Sequence, residues 1–102
     1  MFTAGDGHRL NVRFHTSADG EPHIHDHGVV EWEVLEALAR PLEQIAGRDE
    51  STILIGRTIA GRVLKIIFAD ARDGDGIFVI TAYDLPSKQL RALRRRLRKR
   101  RP

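Results

Sequence analysis

Three apolar runs parted by very short turns constrain this chain more than any other feature. Residues 51–59, 62–69 and 77–83 are rich in Ile, Leu, Val and Phe. Ala60-Gly61 separates the first two, and Asp73-Gly74-Asp75-Gly76 precedes the third. Connections this short turn a strand back beside its neighbour, so the three are expected to be antiparallel partners. Pleat alternation predicts Val63, Lys65, Ile67 and Ala69 on one face, and Arg62, Leu64, Ile66 and Phe68 on the other. On the last strand Ile77, Val79, Thr81 and Tyr83 alternate against Phe78, Ile80 and Ala82. Both faces carry apolar residues, so one is expected to be covered and the other partly concave.

The remaining elements follow from period and punctuation. In residues 8–16, Leu10, Val12 and Phe14 alternate with polar positions, the pattern of a half-buried strand, and Ala18-Asp19-Gly20 closes it. Residues 22–28 fit one helical turn, with Pro22 near its start and Gly28 at its C-terminal cap. Residues 31–39 read as a helix with Val34, Leu35 and Leu38 in one stripe, and Glu31 and Glu33 at its positive end. Pro41 stops it, and residues 42–46 form a weaker strand. A last helix over 86–101, capped by Asp84 or Ser87, spaces Leu90, Leu93 and Leu97 at i, i+3, i+7. The expectation is one α+β domain spanning 1–102, with residues 1–7 disordered and the helices packed on one face of a four- to five-stranded antiparallel sheet. Ile55, Leu64, Ile66, Phe68, Phe78, Ile80, Leu90 and Leu93 are expected to be mostly buried, joining the sheet to the terminal helix.

Charge divides the chain in two. Arg91, Arg94, Arg95, Arg96, Arg98, Lys99, Arg100 and Arg101 supply eight of the 17 basic residues. Residues 1–90 hold nine basic side chains against all 14 acidic ones, a net −5, although the whole chain is +3. The tail therefore expects a polyanionic or acidic partner: RNA, the ribosomal surface or an acidic protein. Lys88, Arg91, Arg94, Arg95, Arg98 and Lys99 are the candidate nucleic-acid contacts. With no cysteine, disulfides, thiolate metal sites and a cysteine nucleophile are excluded. No apolar run reaches the ~18 residues of a membrane helix, and no leader pattern is visible. The expected setting is cytoplasmic, with no membrane partner.

The segments PHIHDHGV (22–29), EVLEAL (33–38), GRD (47–49), IGRTIAGRVLKIIF (55–68) and FVITAYDL (78–85), leading into a basic helix, resemble small bacterial domains close to the BrnT toxins. The resemblance covers about four-fifths of the chain. It implies a RelE-like fold, endoribonuclease activity and a small antitoxin partner. Two departures bear on activity. The helix before the His-Gly step is compressed to about one turn, and Tyr83 stands where the family tends to carry arginine.

Cleavage of RNA by its 2′-hydroxyl needs a base, an acid and cations for the phosphorane charge, and needs no metal. His27 is the candidate base and Tyr83 the donor, with Arg57, Arg62 and Lys65 as charge stabilisers. His23, His25 and His27 invite a metal reading, but in a helical turn only His23 and His27 share a side, so neither a metal nor a cofactor is expected. Alternatively His27 orders the turn by bonding backbone near Gly28. Trp32, the sole tryptophan, is expected to pack or to anchor an interface. Two functions follow: a BrnT-like, metal-independent endoribonuclease, or a non-catalytic module that holds nucleic acid or an acidic protein on its basic helix.

Overall fold

The computed structural model describes residues 11–100. Its elements run β1 (Val12–Phe14), a 3₁₀ turn (His23–His27), α1 (Glu31–Ala39), β2 (Pro41–Ala46), β3 (Thr52–Arg57), β4 (Val63–Asp70), β5 (Ile77–Asp84) and α2 (Ser87–Lys99). The fold is α+β, as expected. The five strands form one sheet in the order β1-β5-β4-β3-β2. β2 through β5 pair antiparallel, but β1 lies parallel to β5, so the sheet is mixed. Short connections dictate direction only between strands adjacent in sequence, and β1 meets its partner from far along the chain. Expectations for residues 1–10 and Arg101 lie outside the described residues.

Cross-strand rows define two faces. Leu54, Ile66 and Ala82 stand opposite one another, with Gly56 opposite Leu64. Together with Val79 they pack against Ile24, Val29, Val34 and Ala37 of the 3₁₀ turn and α1. The row Glu43, Ile55, Lys65 and Tyr83 faces the other way. There Glu43 accepts hydrogen bonds from Arg96 and Arg100, and Lys65 donates to Gln89. So α2 crosses the second face, and the helices do not share one side. A single covered face would leave Ile53, Ile55 and Ile67 bare, which explains the division.

The bulge in β5 corrects the alternation. Ile67 pairs with Thr81 and Phe68 with Val79, leaving Ile80 as the extra residue. Val79 and Ala82 become core, Ile80 is 38% exposed, and Phe78, Thr81 and Tyr83 share the α2 face. Leu64, Ile66 and Leu93 are buried, while Ile55, Phe68, Phe78 and Leu90 are half-buried. Leu64 and Ile66 pack toward α1 rather than joining the sheet to the terminal helix.

Local signals place the ends of the helices. Gly28 takes φ 71° and closes the 3₁₀ turn through its N–H to the His25 carbonyl. Glu33 accepts the Val30 N–H, which forms half of a capping box, since Val30 has no side-chain oxygen. Neither Asp84 nor Ser87 caps α2: Pro86 occupies that position, and Asp84 binds Arg62. Among the described residues no helix is long and apolar enough to cross a membrane.

Leu93 is 1% exposed, whereas Leu90 and Leu97 beside it are half-buried. Leu93→Ala is therefore expected to destabilise by about 2–3 kcal/mol, the lower part of the core range, because the outer leucines can settle inward. Urea unfolding checks this. A loss within about 0.5 kcal/mol would contradict the docking of α2.

Candidate functional site

The leucine stripe of α2 sets which way its cations point. With Leu93 buried, a 3.6-residue period turns Lys88, Arg91, Arg95, Arg98 and Lys99 away from the sheet, with Arg94 at the margin. All six are exposed. Arg96 and Arg100 differ: they bind Glu43 at 2.6–2.7 Å, and the Glu43 side chain is only 13% exposed. The two guanidiniums hold the Glu43 carboxyl below its ordinary range against the opposing effect of burial. This clamp fixes the C-terminal half of α2 on the edge strand. The other six cations have no carboxylate within salt-bridge distance among the described residues.

Beside β5 the histidines form a second feature. The turn at 17–21 folds the chain back so that the His23 N–H donates to the His15 carbonyl at 2.8 Å. Five rings then follow one another edge to face. Phe78 and His15 have centroids 6.1 Å apart, His15 and His23 5.8 Å, His23 and His27 5.1 Å, and His27 and Tyr83 5.6 Å. His23 is steadied by Ser17 and Asp26 at 3.4–3.5 Å. As expected, His23 and His27 share a side of the turn. No group of three His, Cys, Asp or Glu among the described residues is arranged to hold a metal ion. Among the described residues the His27 imidazole makes no hydrogen bond to backbone; its ring neighbours are His23 and Tyr83.

The proposed catalytic residues are only partly assembled. Tyr83 stands opposite Lys65, so His27, Tyr83 and Lys65 form one neighbourhood. Arg57 shares that face near the end of β3 and is exposed. Arg62 is turned elsewhere. Its Nε and Nη2 grip Asp84 at 2.6 and 3.0 Å, and its Nη1 donates to Glu33 and to the Gly28 carbonyl at 2.9–3.1 Å. The Asp84 hydrogen bonds, with a smaller contribution from Glu33, raise the guanidinium pKa further above its ordinary value. A side chain so engaged ties the β3–β4 turn, the 3₁₀ turn, α1 and β5 together, and has little left for a phosphate. Trp32 does not pack: it is 65% exposed on α1.

His25 points away from the other imidazoles, toward acids. Its Nε2 donates to Glu31 at 2.8 Å, and Nδ1 lies 3.6 Å from Glu21. The Glu31 hydrogen bond raises the His25 pKa above its ordinary 6.5 and lowers that of Glu31 below its ordinary 4.5. The raised imidazole adds stability that is complete below pH 6.5 and fades as pH rises through its folded value. The depressed carboxylate adds stability that is present above pH 4.5 and lost as pH falls through its folded value. The pair therefore helps most between those limits. Proton NMR should give His25 a midpoint above 6.5, and Glu31→Gln should lower it; an unmoved midpoint would contradict the contact.

Sequence reasoning missed Glu43, Glu33 and Asp84 as carboxylate anchors, and also His15 and Phe78. The Ala18-Asp19-Gly20 turn was a usable signal for His15, because a chain reversal there brings 15 beside 23. Comparison with protein-family models, curated proteins and solved structures finds no match. The BrnT-like resemblance thus rests on the sequence segments alone.

Proposed function

We propose that the chain binds single-stranded nucleic acid, RNA in a cytoplasmic setting, through the outward face of α2. The observation that carries this is the row of Lys88, Arg91, Arg95, Arg98 and Lys99, five cations on one helix face without carboxylate partners among the described residues. Like charges at i, i+4, as in Arg91/Arg95 and Arg95/Lys99, each cost about 0.2–0.5 kcal/mol in a helix. A polyanion relieves that repulsion and releases its counterions. The net −5 of residues 1–90 directs such a ligand to α2.

An RNA partner and an acidic protein are separated by competition. A fluorescent single-stranded oligoribonucleotide should bind and stay bound under excess polyglutamate of matched charge. Displacement at charge equivalence would favour an acidic partner, an antitoxin among them.

The contact of His27 with Tyr83, beside Lys65, supports a second reading as a metal-independent endoribonuclease. The 2′-hydroxyl attacks phosphorus while His27 takes its proton, Tyr83 gives a proton to the departing 5′-oxygen, and Lys65 faces the phosphorane charge. Products ending in a 2′,3′-cyclic phosphate, lost in both His27→Ala and Tyr83→Phe, are the expected result. Uncut RNA with the parent chain would leave the binding role alone.

A further inference from the structure

We infer that the ring array of Phe78, His15, His23, His27 and Tyr83 is a stacking platform for unpaired nucleobases, placed beside the phosphate-binding helix. This rests on the reading of α2 as a phosphate contact and adds what that reading lacks, a site for the bases. Residue order places the platform. Arg13 pairs with Phe78, and Phe78, Thr81 and Tyr83 share the face that α2 crosses. The helix starts near Lys65, through the Gln89 hydrogen bond, and ends over β2, at Glu43. It therefore leaves the β5–β1 side of that face open, and Phe78 and Tyr83, the two ends of the array, lie on that side.

The rings suit bases in three respects. Consecutive centroids lie 5.1–6.1 Å apart, so several bases can meet a ring without long gaps. Each edge-to-face contact covers one face of only one of its two rings, and both His15 and His27 are exposed. The middle of the array is also held: backbone pairing joins His15 to His23, while Ser17 and Asp26 steady the His23 imidazole. Pre-set rings lose little freedom when a base arrives. Rings beside a cationic track form the recognition chemistry of single strands, and duplex bases cannot reach such rings.

The test uses anisotropy with three probes: a fluorescent oligouridylate, the abasic strand of equal length, and the matched duplex. The parent should prefer the base-bearing strand to the abasic strand and to the duplex. His15→Ala with His23→Ala should weaken oligouridylate binding by about 5- to 30-fold, the value of one or two stacked bases, and leave the abasic strand unchanged. His15→Phe with His23→Phe should retain the preference, because a ring face remains. Circular dichroism verifies that both variants fold, and the phenylalanine pair keeps the question open should the alanine pair misfold. Equal affinity of the parent for base-bearing and abasic strands overturns the platform while sparing the basic-helix reading. Failure to bind any probe overturns both.

Discussion

Gly56→Val is expected to lower stability by about 3–4 kcal/mol and to loosen α1 from the sheet. Gly56 is buried on β3, where α1 packs closest, and a β-carbon there would run into the Ala37 backbone: 3.1 Å from its Cα, 2.7 Å from its carbonyl carbon and closer still to the oxygen. Backbone cannot yield as a side-chain tip can, so the helix itself must move. That movement would part Val34 and Ala37 from Leu54 and Leu64, all within one buried cluster. Overpacking typically costs 1–3 kcal/mol, and the lost helix contacts add to it. Urea midpoints and amide exchange across 31–39 provide the check. A near-wild-type midpoint would mean that α1 is not seated on β3 as described.

The second large effect concerns binding. Replacing Lys88, Arg91, Arg95, Arg98 and Lys99 by glutamine removes the outward charge but keeps the leucine stripe, the Glu43 clamp and comparable helix propensity. If each side chain meets one phosphate, five contacts make single-strand affinity vary with salt to a power of about −3.5, so their loss is worth about a thousandfold at ~0.1 M salt. Thermal stability should hold or rise, because the like-charge neighbours are gone. Truncation after Leu90 would be a poor substitute, since it also deletes the buried Leu93. A variant that folds as the parent does and binds as tightly would remove α2 from the interface.

How far the sequence could be read depends on which interactions are local. The hairpins around Ala60-Gly61 and Asp73–Gly76, the Gly28 cap and the leucine stripe of α2 each follow from residues close together in the chain, and the structure has them all. The parallel pairing of β1 with β5 joins distant segments, so turn chemistry is silent about it. The bulge at Ile80 shifts the pleat by one residue and places Phe78 with Tyr83, which strict alternation forbids. Most consequential is Arg62: as a sequence it is one more cation near a strand end, but Glu33 and Asp84, from two other elements, convert it into a clamp. The histidines were visible as a cluster. Their ordering into an array with His15 and Phe78 depends on a chain reversal and a parallel pair, which only the assembled fold provides.

The claim that α2 is a phosphate-binding face is tested most directly by the salt dependence of RNA affinity. For the parent and a single-stranded oligoribonucleotide, the logarithm of the association constant should fall against the logarithm of salt with a slope of about −3.5. That is about a hundredfold loss between about 50 and about 200 mM. The five-glutamine variant should give a slope near zero. A flat line for the parent, or equal steep slopes for both proteins, would contradict the account.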